Sequence, residues 1–358
     1  MGGADTDGGQ VLEAWRGGFG RAELTARRVA GLLEVPGCAR REVLDAAELP
    51  LPDVAGLLGC PPPRLSPFVH ARRRRFDAVC TDEDLAALLP LARDGLDLTI
   101  DTGRTRQVPG AGAAERAAAT ERLLTELPER SLTLLRDPVL PLRLGDREQW
   151  LTLDTLLVTG TMPRHVVAIR TFPRQDGVAD PTQVAAAARE IAASVLALRA
   201  RTEVSRRALL VLPENASLQP VAAPLDVAPQ LARLTALVRT AGDRSRLAAL
   251  LAATPPLPDP TADDAPERTA AAVAALPHRF GDGCLRCDLF TFCRGEQEDA
   301  EAIGRLGTAV TNACASVPTV DAALALADGS RAPVGAAEIA LADGLSRAAR
   351  ALELATAR

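Results

Sequence analysis

The chain has 358 residues, 41 basic and 46 acidic, for a formal charge of −5 with histidine neutral, which is the balance of an ordinary soluble protein. Hydrophobic residues make up 47% but aromatics only 3%, with no tyrosine, so the core must be built from Ala, Leu and Val, and stacking platforms for bare bases are scarce. All 41 basic residues are arginine, which excludes a complete P-loop, a Schiff-base enzyme and a kinase of the usual pattern, each of which needs a lysine.

Taken in chain order, residues 1–58 carry helical signals, with apolar positions at Leu12, Trp15, Leu24, Val29, Leu32 and Leu33 and turn chemistry at Pro36-Gly37 and Pro50. Pro61 to Pro63 follow Cys60 and break that pattern before a helix predicted over Pro67 to Cys80. Thr81 is placed to cap another helix through Leu85, Leu88 and Leu89, the stretch 96–100 reads as strand, and 113–127 returns to helix. Residues 132–135, 139–144, 150–158 and 165–172 are short apolar or alternating runs between turn signals, which is strand patterning. A strong Ala-rich helix follows over 183–201, then a strand over 208–212, a helical stretch over 225–252 broken near Gly242, a Pro- and Asp-rich linker over 254–268, a cysteine segment and a helical tail.

This order argues an α/β fold with a mixed β-sheet flanked by helices. It divides the chain into a helical N-terminal region (1–66), an α/β core (67–215), a helical segment with linker (216–275), the cysteine segment (276–300) and a helical C-terminal tail (301–358). The sequence holds no run of 18 apolar residues, and its start has neither the positive nor the apolar region of a secretory signal, so a cytoplasmic protein without membrane contact is expected. Seven cysteines at uneven spacing in a reducing compartment argue against a disulfide framework and make metal ligation the first alternative.

The sharpest local pattern is Cys284-x2-Cys287-x5-Cys293. Two thiols two residues apart can point inward around a turn, and a third five residues on closes one face of a tetrahedron or cube. A fourth ligand must come from elsewhere. Cys60, in its proline-flanked loop, is the expected partner, with Cys38, Cys80, Cys314 and His278 as alternatives. Ligand type alone leaves zinc and an iron–sulfur cluster open, since both accept four thiolates.

The triplet, placed after an α/β core with a cysteine far upstream, resembles the split four-cysteine staple of the CRISPR-associated iron–sulfur exonucleases and the AddB-type helicase–nuclease subunits. That resemblance implies a structural [4Fe–4S] cluster. The stretch 76–199 is similar to the RecB-like branch of the PD-(D/E)XK nuclease superfamily, in which a helix supplies an acid, a strand an aspartate, the next strand Glu-x-Lys and the following helix Gln-x-x-x-Tyr. The resemblance implies a restriction-endonuclease-like core and metal-assisted phosphodiester hydrolysis, in which carboxylates hold Mg²⁺ or Mn²⁺.

Carried over residue by residue, the helical acid is Asp77 and the strand aspartate Asp154, the two candidate Mg²⁺ or Mn²⁺ ligands. The Glu-x-Lys positions read Ala168-Ile169-Arg170, and the helix motif reads Glu190-Ile191-Ala192-Ala193-Ser194. Strand alternation puts 168 and 170 on one face, so Arg170 takes the lysine's place. Arginine stays charged and grips phosphate with two N–H groups, but it does not transfer protons at neutral pH. The remnant site is thus Asp77, Asp154, Arg170 and Glu190, and the expected protein is a non-catalytic, DNA-binding or complex-forming subunit in DNA repair, DNA processing or phage defence, with a helicase among its possible partners. Two alternatives stand beside it: an active metal-dependent DNA exonuclease with displaced ligands, and a zinc-stapled interaction protein that does not touch nucleic acid. Arg72 to Arg75, with Arg64, Arg104, Arg106 and Arg170, are the arginines that could line a groove for a phosphate backbone.

Overall fold

The computed structural model describes residues 3–61, 66–145, 147–241, 243–281, 283–298, 303–306 and 308–356. The chain divides into two compact units, a first made of 1–19, 34–62 and 245–358 and a second made of 20–33 and 63–244.

The second unit carries the strands β1 (Leu24–Thr25), β2 (Thr102–Gln107), β3 (Ser131–Arg136), β4 (Val139–Leu144), β5 (Arg147–Thr152), β6 (Thr155–Thr159), β7 (Val166–Ile169), β8 (Arg174–Gln175), β9 (Val178–Ala179), β10 (Arg207–Pro213) and β11 (Pro220–Asp226). Six of them form a mixed sheet in the order β11-β10-β7-β6-β3-β2. Strands β10 and β7 run parallel, as do β2 and β3, while the pairs between them are antiparallel. A second sheet has the order β1-β5-β4, and β8 pairs with β9.

Side-chain alternation gives the large sheet two apolar faces. On one, Leu156, Val158, Val166, Ala168, Leu210 and Leu212 pack with the Ala-rich helix Pro181–Arg199. Asp180 starts that helix, accepting from the backbone N–H of Thr182 at 2.8 Å and of Gln183 at 3.0 Å, with Pro181 in the first turn. On the other face, Leu157, Val167, Leu209 and Val211 pack with Phe76 and Cys80 of the helix Pro67–Cys80 and with Leu88, Ala92 and Leu96.

Several expected elements are revised. The run 150–158 is two strands in two sheets, because the apolar alternation at Leu151 and Leu153 shifts phase to Leu156 and the chain turns at Asp154. The expected helix from Thr81 is a series of turns through Leu85 at φ 53°, and the helix itself is Leu89–Leu96. The expected strand at 96–100 is the left-handed cap at Asp97 and the chain after it. The true strand, β2, is Thr-Gly-Arg-Thr-Arg-Gln, an edge strand with no apolar alternation to betray it. The other edge, β11, begins with one proline and holds another, residues that an edge strand tolerates.

One close approach in this unit has a measurable cost. At Gly160, whose N–H donates to Ser131 at 2.7 Å, an added Cβ would lie 1.8 Å from the Pro128 carbonyl oxygen. Gly160→Ala should therefore destabilise the protein by about 3 kcal/mol, the upper end for overpacking, measured as a lower urea midpoint; a loss under about 0.5 kcal/mol would mean that the Pro128 turn yields freely.

The first unit is helical, with Leu12 and Trp15 of the helix Gly3–Arg16 buried against Val43, Leu44, Leu257 and Val273. Trp15 donates its indole N–H to the Pro255 carbonyl at 2.9 Å, and its own carbonyl accepts from Leu257 at 2.9 Å. The chain can turn there because Gly17 sits at φ +61°, where a Cβ would meet the Leu257 oxygen at 2.1 Å. Among the described residues, no helix is long and apolar enough to cross a membrane.

Candidate functional site

The Cys-x2-Cys step is a short 3₁₀ turn, Cys284–Arg286, closed by the Cys287 N–H donating to the Cys284 carbonyl at 2.9 Å. The chain then turns into the helix Phe290–Glu298, which carries Cys293 in its first turns, with Leu289 buried beneath. This local geometry brings the three cysteines into the lining of one pocket in the first unit.

Cys38, Val35, Arg40 and Arg41 line the same pocket. Cys38 is the cap position of the helix Ala39–Ala46, directly after the Pro36-Gly37 turn, and Arg40 docks that helix start on the later chain by donating its backbone N–H to Pro277 at 2.8 Å. Four cysteines thus line one pocket, whose cavity volume is about 20 Å³.

The expected fourth ligand is revised accordingly. Cys60 does not line the pocket; it follows the helix Leu51–Leu57, and its thiol donates to the Leu58 carbonyl at 3.4 Å. Cys80 is buried in the core of the second unit, and Cys314 packs with Ile303, Val317 and Leu326 in a separate cluster. His278 does line the pocket, but its Nδ1 lies 3.6 Å from Glu296.

The pocket's electrostatics concern sulfur. Burial pushes the Cys293 thiol up to about 12, with Arg40 drawing it back, and burial also raises Cys287 against the pull of Arg41. The backbone N–H of Gly281 donates to the Cys284 sulfur at 3.2 Å. Among the described residues, no three His, Cys, Asp or Glu side chains converge at single-ion range. The four cysteines share the lining of this one pocket, and any metal–sulfur centre they held would have to displace their thiol protons. The donor set fits such a group: four soft ligands, cationic N–H donors aimed at two of them, and an apolar surround of Leu289 and Phe290.

The second unit holds a separate cleft of about 1200 Å³, open to solvent and lined by Asp154, Ala168, Arg170, Glu190 and Ser194, with Arg27 beside them. The β6–β7 register pairs Leu157 with Val167; continued three residues, it sets Asp154 opposite Arg170. Glu190 comes from the helix Pro181–Arg199 and accepts from the Arg170 guanidinium at 2.8 Å, both side chains about 30% exposed. Position 168 is an alanine packed under that helix, 7% exposed.

Asp77 is not brought to this cleft. Its helix packs through Phe76 and Cys80 on the sheet face opposite Ala168, and Asp77 itself is exposed. Nor do the arginines form one groove. Arg104 and Arg106 lie on edge strand β2, whereas Arg72 donates to the carbonyls of Asn215 and Ser217 in the β10–β11 turn, beside the other edge; Arg64 lies outside the described residues.

Sequence reasoning missed Arg27, Arg40 and Arg41. The last two could have been flagged as cations two and three residues after Cys38, a weak signal in so arginine-rich a chain. Compared with protein-family models, curated proteins and solved structures, the chain matches none of them.

Proposed function

We propose that this protein is a degenerate, non-catalytic RecB-like nuclease-fold protein that carries an iron–sulfur cluster on Cys38, Cys284, Cys287 and Cys293 and binds DNA through the cleft of its second unit, as part of a DNA-processing or defence complex. The observation that carries this reading is the Arg170–Glu190 pair at 2.8 Å in the cleft that also receives Asp154 and Ala168. A divalent cation needs several free oxygens. Here the strand carboxylate at 168 is replaced by a methyl group, and a guanidinium already neutralises Glu190. Arg170 also donates through Nη1 to the Ile169 carbonyl at 2.9 Å, so the N–H groups left over by these two bonds are what would meet a phosphate oxygen, without a metal.

The order of elements supports the reading: a helix (Ala113–Thr125), strands β5 and β6 with Asp154 in the turn between them, strand β7 ending at Ile169 just before Arg170, the helix with Glu190, and a further strand parallel to β7. The iron–sulfur assignment rests on the Cys284-x2-Cys287-x5-Cys293 spacing and its resemblance to cluster-binding staples, with Cys38 lining the same pocket as the triplet.

The test is DNA affinity by fluorescence anisotropy across a salt series, with and without EDTA. Affinity should fall steeply with salt, be indifferent to EDTA, and lose about one unit of salt slope in Arg170→Ala. Cleavage of single-stranded DNA with Mn²⁺ that disappears in Asp154→Ala would replace this reading with the active exonuclease. A protein with zinc, no iron and no salt-dependent affinity would replace it with the interaction protein.

A further inference from the structure

Two arginines at the start of one helix face two sulfurs of the cysteine pocket. Arg40, only 1% exposed, donates through Nη1 to the Cys293 sulfur at 3.0 Å, and its fork also holds Glu296 at 2.5 and 3.1 Å. It also donates to the Leu276 carbonyl, by Nε at 3.2 Å and Nη2 at 3.1 Å, and by Nη2 to the Ala274 carbonyl at 3.4 Å, and the Phe292 ring centroid lies 5.5 Å from its carbon centre. Arg41 donates through Nη1 to the Cys287 sulfur at 3.7 Å while its Nε holds Asp45 at 2.6 Å.

A carboxylate partner for each arginine would suffice for an ordinary buried ion pair. The extra donation to sulfur from both is what an ion pair leaves unexplained, because a neutral thiol is a weak acceptor and a thiolate a strong one. We propose that Arg40 and Arg41 are the charge-balancing residues of the metal–sulfur centre: they hold the Cys293 and Cys287 thiolates by N–H donation and raise the centre's reduction potential. This rests on the iron–sulfur reading above.

The physical reason is Coulombic. One-electron reduction, by dithionite in the experiment, leaves one additional negative charge on the centre with no group departing. Two nearby guanidinium groups in a poorly solvated pocket stabilise that more negative state, as do hydrogen bonds to the coordinating sulfurs. A cluster with a purely scaffolding role would need neither.

The experiment compares wild-type full-length holoprotein, purified without oxygen, with Arg40→Gln, Arg41→Gln, Arg40→Lys, Arg41→Lys and the control Arg246→Gln, whose arginine pairs with Glu42. Reduction is followed by electron paramagnetic resonance against potential, and iron loss by transfer to a chelator. Both Gln variants should titrate at more negative potential and release iron about tenfold faster or more. The Lys variants should recover most of the potential, because charge is kept, and the control should match wild type. Arg41→Gln keeps the test alive if Arg40→Gln fails to fold, since Arg41 anchors no distant carbonyl in this way. Iron present with potentials unmoved in the Gln variants overturns this inference alone. Zinc with no iron overturns it together with the iron–sulfur reading.

Discussion

Cys38→Ala should strip the metal from the purified protein, while Cys60→Ala should leave it in place. Cys38 lines one pocket with Cys284, Cys287 and Cys293, whereas the Cys60 thiol donates to the Leu58 carbonyl. Removing even a group that merely supports a ligand costs 10–100-fold in metal affinity, so losing a ligand should cut iron per chain at least about tenfold. The Cys38 variant should also unfold more readily. The contact between Arg40 and Cys293 joins residues 253 apart in the chain, and a bound centre there would close a long loop. Metal analysis and thermal unfolding of the two variants side by side decide it; metal lost from Cys60→Ala and kept in Cys38→Ala would refute the pocket as the ligand set.

Arg164→Ala should cost about 3 kcal/mol or more, from the buried carbonyls it leaves without their donor. Arg164 is 8% exposed, and burial lowers its pKa from the ordinary arginine value. Its guanidinium donates to the Leu124 carbonyl at 2.7 Å, to Thr159 and Gly160 at 3.3 and 3.4 Å, and to the Thr202 hydroxyl at 3.2 Å. It therefore binds the end of the helix Ala113–Thr125, the β6–β7 turn and the chain after the helix Pro181–Arg199 in one knot. Truncation leaves three carbonyls without this donor, each worth about 1–3 kcal/mol when buried and unpaired. Arg164→Lys should recover less than half, because an ammonium cannot span the same fan of acceptors. Urea unfolding measures both variants; a loss below about 1 kcal/mol for Arg164→Ala would show that water replaces the guanidinium.

The legible part of the fold is where side-chain pattern and local geometry agree. The helix Pro67–Cys80 and strand β4 could be placed from their apolar spacing and proline turns because their own residues decide both shape and burial. Strand β2 could not, since Thr102–Gln107 pairs with β3 through backbone groups that any residue carries. The same contrast runs through the candidate sites. The Cys284, Cys287 and Cys293 triplet is local, and its turn follows from spacing. Asp154 and Arg170 line one cleft because each lies just beyond the end of an adjacent, paired strand. The exclusion of Asp77 depends on which face of the sheet its helix covers, and nothing in its neighbouring residues states that.

By itself the sequence determined the chemistry on offer: arginine as the sole permanent cation, three thiols within ten residues, and an alanine at position 168 two residues before Arg170. Those are properties of residue identity and short spacing. The tertiary structure decided the partners. It put Cys38 in place of Cys60 in the triplet's pocket, turned Arg40 and Arg41 toward sulfur, and closed Arg170 onto Glu190. Such choices are made by packing between segments far apart in the chain, where many pairings satisfy the same pattern and only the burial of a common core selects one.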